Sequence, residues 1–447
     1  MDVNNLTDDQ KKIASEFVSF LLDPTESNLI IQGGAGTGKS YLLRYLVQDG
    51  LANYEQTCKV LNIEPQFKNF AVTATTNKAV GALQEQQMPF NPVTTVSFLG
   101  LHLEYNAKAH KQVLTSNTPF SAIDNTIIFV DECSMVNSEL FDWIQKKCVN
   151  CKIVYIGDKY QLPPVKEKIS PIYNCNYREI TLSEPVRNAG NKALVDLCEQ
   201  LRKTCETGVW NDIHSVPGSI EVIKNSNEWQ KIIDSEFLHS DTDKRILAYS
   251  NNLVTSYLEY LSELRNEDTY LVEGNWYVSN NYYKLANVQL YSNKSLATDS
   301  LVHILEISDN VPESIYKYYN LDFTEPAQKE MLKKLKLESP VLNNIWVSYV
   351  FTNPELHMKY MKDLRKYNPA KYYEVQTNTL DLRKSDVSTV HKAQGSTLDT
   401  VYIDLDDISK CTQKDVTAKL LYVAASRARK KVVFYGELSR RYGVTVA

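Results

Sequence analysis

The sequence predicts an α/β fold of two parallel-sheet units carrying inserts, and three observations predict it. Residues 28–50 read as a short apolar strand, a glycine-rich loop and a helix. Apolar runs at 29–32, 70–75, 126–131 and 152–158 alternate with helix-like segments. After a stretch of different character, the same rhythm returns at 400–436. Apolar runs of this length, separated by helical segments, suit strands buried on both faces by crossover helices.

The first element to justify is the loop. Residues 33–40, GGAGTGKS, fit G-x-x-x-x-G-K-[ST], with Gly33, Gly38, Lys39 and Ser40 in the fixed places. Glycines allow backbone N–H groups to close around phosphate oxygens, and the helix N-terminus adds partial positive charge. Lys39 would reach the β- and γ-phosphates and Ser40 would ligate Mg²⁺. The helix beginning there is expected to stop at Gly50.

The next strand, 70–75, is followed by a less regular insert, in which 101–107 and 111–116 have the alternation of a small hairpin. Residues 126–131 form an apolar strand ending in Asp131-Glu132. Asp131 would hold Mg²⁺ and Glu132 would orient and deprotonate an attacking water. The strand 152–158 leads into Gln161, placed to sense a γ-phosphate. Arg187 and Arg427 are the candidate arginines for a transferring phosphoryl group.

The second half begins with a helical stretch and the strand 245–252. From about 265 to 375 tyrosine is dense and the βα rhythm is lost, so an inserted β-rich module is expected there. The strand 400–406, helix 415–429 and strand 431–436 then complete the second unit.

Bulk properties set limits. A length of 447 residues accommodates roughly two to four domains. The net charge of −5 provides no global basic field, so any nucleic-acid contact relies on local grooves. No apolar run approaches the ~20 residues of a membrane span, and residues 1–10 lack the features of a signal peptide, so a cytoplasmic location is expected. Cys148 and Cys151 form a C-x-x-C pair, but a zinc site needs two further ligands, so both are read as reduced thiols.

These elements, in this order, resemble the 5′-to-3′ (RecD/Dda-like) group of superfamily 1 DNA helicases nearly end to end. The matching segments are 6–13, 33–40, 73–80, 94–100, 130–135, 157–165, 182–187, 388–404 and 420–429. The resemblance implies two RecA-like motor domains, one at 1–175 and the other at 176–264 with 376–447. It also implies a hairpin insert at about 86–120 and an SH3-like accessory insert at 265–375.

By position, the resemblance implies that ATP is held by Gln10, by Gly33, Gly34, Ala35, Gly36, Thr37, Gly38, Lys39, Ser40 and Tyr41, and by Gly395. Catalysis would fall to Lys39, Glu132, Gln161, Arg187 and Arg427, and Mg²⁺ to Ser40 and Asp131. Thr73, Thr75, Asn77, Thr94, Thr389 and His391 would lie along single-stranded DNA, with Tyr105 the candidate strand-separating residue.

The implied partners are single-stranded DNA and single-/double-strand junctions, with a single-strand-binding protein or other replication proteins. The implied working state is a monomer, in a bacterial host's cytoplasm if phage-encoded. Two rival readings stand beside this one. They are an ATP-gated single-strand binding or loading protein without unwinding, and an RNA helicase of the same superfamily.

Overall fold

A computed structural model of the chain describes residues 6–85, 91–106, 111–116, 118, 121–164, 167–184, 186, 190–239, 243–267, 269–281, 283–284, 295–296, 300–340 and 344–447. The chain separates into two compact units. The first comprises residues 1–211 and 413–430, and the second residues 212–412 and 431–447.

The first unit is built on six parallel strands. These are β1 (Asn28–Gly33), β2 (Asn69–Ala74), β3 (Val93–Thr94), β4 (Thr126–Asp131), β5 (Lys152–Gly157) and β6 (Arg178–Leu182). They lie in the order β6-β1-β5-β4-β2-β3. Alternation along each strand sorts side chains to the two faces. Leu29, Ile31, Ile127 and Phe129 pack with Ile13, Phe17 and Phe20 of the helix Asp8–Leu22. Ile30, Ile128, Val130, Ile153 and Tyr155 pack on the other face with Leu140 and Ile144 of the helix Ser138–Lys147. Helices therefore cover both faces, and the carboxyl ends of the strands form one edge.

The helix after the loop does not stop at Gly50. It runs Lys39–Tyr45, passes through a π turn at Leu46–Gly50, and continues as Leu51–Val60. Gly50 keeps helical dihedrals, φ −63° and ψ −42°. A Cβ there would lie 3.2 Å from the Phe17 ring, so the glycine provides close packing rather than a break. The expected hairpin is present as the antiparallel pair Leu101–Asn106 and Lys111–Ser116, with Tyr105 opposite Gln112.

The second unit has a parallel sheet and an antiparallel one. The parallel sheet contains β7 (Ile220–Ile223) and β8 (Lys244–Ala248) and, after the strands of the antiparallel sheet in the chain, β14 (Val387–Thr389), β15 (Leu398–Asp404) and β16 (Ala428–Tyr435). Its order is β7-β16-β15-β8-β14. The expected strand 245–252 is shorter than read. Ser250 caps the helix Asn251–Leu264, its hydroxyl accepting from Leu253 N at 3.3 Å.

The tyrosine-rich segment is mixed rather than simply β-rich. An antiparallel sheet holds β9 (Trp276–Ser279), β10 (Leu301–Ser308), β11 (Leu332–Ser339), β12 (Asn344–Phe351) and β13 (Leu382–Lys384), in the order β12-β11-β10-β9-β13. Two helices, Pro354–Tyr367 and Pro369–Asn378, follow β12. Asn353 and Asn368 cap them, and a proline occupies the first position of each, where its missing N–H costs nothing. Among the described residues, no helix is long and apolar enough to cross a membrane.

Candidate nucleotide site and nucleic-acid contacts

Register brings three motifs to one edge of the first sheet. Gly33 stands beside Leu182, Gln32 beside Gly157, and Ala74 beside Asp131. In open α/β sheets, ligands bind outside these carboxyl ends.

The loop leaves β1 and turns through Gly36 (φ 80°) and Gly38 (φ 79°). Thr37 folds back on it, its hydroxyl donating to Gly34 O at 2.9 Å. The positive φ of Gly38 is what requires glycine, and a Cβ there would also sit 2.6 Å from Gln10 Nε2 and displace that side chain. Lys39 Nζ donates to Gly33 O and Gly34 O, each at 2.9 Å, and so spans the mouth of the loop. Ser40 and Tyr41 follow in the first helical turn, where backbone N–H groups have no intrahelical acceptor.

Gln10 lies against the loop, with both ends of its amide in use. Oε1 accepts from Thr7 N at 3.1 Å, closing a capping box, and Nε2 donates to Gly38 O at 3.4 Å.

Asp131 ends β4 and is buried. Burial, then the charge of Glu132, pushes its carboxyl up to about 7, against a backbone bond from Glu132 N at 2.9 Å. Glu132 has φ 51°, a left-handed conformation rare for a non-glycine residue. Its Oε2 is buried and makes no hydrogen bond. Burial also pushes the neighbouring Cys133 thiol up to about 12.

The end of β5 leads to Asp158 and Gln161, both buried, with Gln161 N donating to Asp158 O at 3.1 Å. Asp158 gathers Gln32 Nε2 at 3.3 Å, Tyr160 N at 3.1 Å and the Tyr422 hydroxyl at 2.6 Å. The same hydroxyl accepts from Ala35 N at 3.0 Å. Tyr422 belongs to the helix Lys414–Ala425, which the contacts group with the first unit. Sequence reading missed both residues. Asp158 had a signal in the Gly-Asp following an apolar strand, whereas Tyr422 reads as core in a helix buried on all sides.

Arg427 is buried, its Nε donating to Val423 O at 3.0 Å and a terminal nitrogen to Ser426 Oγ at 2.9 Å. Arg187 lies outside the described residues. Gly395 (φ 84°) lies in the second unit, in the turn after Val390–Ala393.

The proposed DNA contacts differ in exposure. Thr73 must be corrected: it is fully buried, donates to Phe129 O at 2.8 Å and bonds Thr95 Oγ1 at 3.0 Å, so it is a sheet-core residue. Thr75 donates to Glu132 O at 3.0 Å and so ties the end of β2 to the acidic pair. Asn77 begins the helix Asn77–Glu85. Thr94 caps the short helix Thr95–Phe98, accepting from Ser97 N at 3.1 Å. In the second unit, Thr389 ends β14 and caps the next helical turn through Lys392 N at 3.4 Å. His391 is exposed on that turn, 6.5 Å from the Tyr249 ring. The side chain of Tyr105 lies outside the described residues. Cys148 and Cys151 are free thiols, and the described residues contain no cluster of metal-ligating side chains.

A strand, glycine loop and helix, with paired carboxylates two strands away, define a phosphate-loop nucleotide-binding α/β protein. Residues 22–167 match the AAA domain family, and residues 384–435 match the UvrD-like helicase C-terminal domain. The chain is 22% identical to the uncharacterized protein R530 of Acanthamoeba polyphaga mimivirus, over 95% of this chain and 98% of that protein. It is 27% identical to the RecBCD enzyme subunit RecD of Buchnera aphidicola, over 40% of this chain and 29% of that one. It is 28% identical to the ATP-dependent DNA helicase Pif1 of Campylobacter jejuni, over 36% of this chain and 37% of that one. The chain thus spans nearly all of the viral relative and under two fifths of the RecD subunit and the Pif1 helicase. A Pif1 helicase solved in a study of unwinding at forked duplex DNA shares the fold, with a TM-score of 0.50 at 16% identity, over 96% of this chain and 91% of that one. The two family matches and the RecD and Pif1 relatives together support a superfamily 1 helicase of the RecD/Pif1-like type.

The cofactors of that class, ATP and Mg²⁺, fit the donors present. The loop and Lys39 offer cationic and N–H donors to phosphate, and Asp131 with Ser40 offers hard oxygen ligands. The unpartnered Glu132 Oε2 leaves an acceptor for water at that edge.

Proposed function

We propose that this protein is an ATP-driven, Mg²⁺-dependent DNA helicase that moves 5′ to 3′ on single-stranded DNA and separates duplex ahead of it. One observation carries the reading. The phosphate loop, Asp131-Glu132 and Gln161 converge on the carboxyl edge of one sheet, with Thr75 joining that edge to a neighbouring strand end. Direction is argued from the RecD and Pif1 relatives.

In this reading Lys39 binds the β- and γ-phosphates, Ser40 and Asp131 hold Mg²⁺, and Glu132 activates water. Gln161 senses the γ-phosphate, and Arg187 and Arg427 supply positive charge. Thr75, Asn77, Thr94, Thr389 and His391 follow the DNA backbone without base readout, as a sequence-blind motor requires. The hairpin separates strands, with Tyr105 as its candidate residue. The first unit, whose sheet includes β6 (Arg178–Leu182), forms one motor domain in place of the expected 1–175, the parallel sheet of the second unit belongs to the other, and 265–375 forms the accessory domain. The protein works as a monomer at single-/double-strand junctions.

Strand displacement with ATP and Mg²⁺ tests this, comparing 5′-tailed and 3′-tailed duplexes with Lys39→Ala as control. Unwinding of the 5′-tailed duplex alone, lost in the Lys39 variant, is the expected result. Unwinding of the 3′-tailed duplex alone would overturn the direction. ATP hydrolysis without unwinding of either would point instead to an ATP-gated single-strand binding protein.

A further inference from the structure

Arg202 stands on the helix Lys192–Thr207, outside every motif assigned above. Its Cδ and Nε lie 3.6 Å from where a Cβ on Gly34 would sit. The side chain lines a cavity of about 170 Å³ together with Gly34, Thr37, Cys198, Tyr422 and Ser426.

What holds Arg202 there is not a hydrogen bond from Nε. That nitrogen is buried and makes none. The guanidinium stacks on Tyr160, 4.9 Å from the ring centroid. Its charge partner is Asp158, with Nε 4.0 Å from Oδ1, beyond hydrogen-bonding distance. Asp158 does not depend on it, because Gln32, Tyr160 and Tyr422 already donate to that carboxylate. Glu199, a carboxylate on the cavity wall, is paired with Lys203 at 3.4 Å on the exposed side. A guanidinium with unused donors thus faces a cavity walled by the phosphate loop. An anion with free oxygens would complete those donors, and phosphate matches the fork geometry of arginine.

We propose that Arg202 contacts the terminal phosphate of bound ATP and lets the first unit distinguish a triphosphate from a diphosphate. The proposal rests on the phosphate-loop reading above and adds a residue to it. Arg427, by contrast, is bonded to the end of its own helix.

The test is equilibrium binding of ADP and of a non-hydrolysable ATP analogue to the wild type, Arg202→Gln and Arg202→Lys. Arg202→Gln is expected to weaken the analogue about tenfold or more and ADP by less than about twofold, the loss of one charge-assisted contact. Arg202→Lys, which keeps the charge without the fork, should recover part of the preference. Equal losses for both nucleotides, or none for either, overturn the proposal. If the Gln variant melts too early to measure, the Lys variant decides. An intermediate ATP preference supports the proposal, and an unchanged or equally weakened pair of affinities overturns it. A wild type that binds neither nucleotide overturns the phosphate-loop reading itself, a result distinct from any outcome with the variants.

Discussion

The Tyr422 hydroxyl donates to Asp158 Oδ2 at 2.6 Å while accepting the N–H of Ala35 at 3.0 Å, so one oxygen joins the phosphate loop to the strand end that carries Gln161. Burial, then the Asp158 charge, holds this phenol protonated well above the ordinary tyrosine range. It therefore remains a donor throughout the range in which proteins are handled. The fully buried Asp158 depends on that donor.

Tyr422→Phe removes both bonds without changing the ring. The expected cost is about 1.5–3 kcal/mol, the range for a hydrogen bond to a charged group. Urea unfolding of the wild type and variant measures it. An unchanged midpoint would mean that water replaces the hydroxyl without loss.

Thr73 and Thr75 lie two residues apart yet face different fates. Thr73→Val keeps the shape and deletes a buried hydroxyl bonded to Phe129 O and Thr95. It should cost about 1 kcal/mol of stability and leave single-stranded DNA affinity unchanged. Fluorescence anisotropy with a labelled oligonucleotide checks this. A clear loss of affinity with normal stability would return Thr73 to the DNA contacts.

Lys152 is buried under the end of the first helix. Its ammonium donates to Phe20 O at 2.8 Å and also to the carbonyls of Asp23 and Glu26. Burial lowers its pKa, against the pull of Asp23 and Glu26. Lys152→Met keeps the apolar stem and strands three carbonyls at a helix C-terminus. A loss of about 2–4 kcal/mol follows from the desolvation of unpaired groups. Hydrogen exchange should show early opening at 19–27, and normal protection there would refute the capping role.

The sequence made the sheet legible because β1, β4 and β5 are buried on both faces and so appear as unbroken apolar runs. Gly50 misled because glycine signals both helix ends and close packing, and only the Phe17 ring decides between them. The helices at 354–378 were hidden by their tyrosine and lysine content, although the Asn-Pro pairs at 353–354 and 368–369 are start signals. The loop and acidic pair were legible because their chemistry is local in sequence. The meeting of Arg202 with Asp158 was not, because they lie far apart in the chain and only the fold brings them together.

Asp131 supplies the last prediction. It is buried beside Glu132, and two carboxylates so placed repel each other unless a cation lies between them and a phosphate. Asp131→Asn keeps the shape and removes the charge. Turnover should fall about a hundredfold or more, the usual scale for losing one charged group at a phosphoryl-transfer site. The Mg²⁺ concentration for half-maximal activity should rise, while chelation should silence the wild type and Mg²⁺ restore it. ATPase rates across a Mg²⁺ titration check all three. An Asn variant with wild-type turnover and an unshifted Mg²⁺ midpoint would remove Asp131 from the metal site and leave Ser40 and Glu132 as the groups to test.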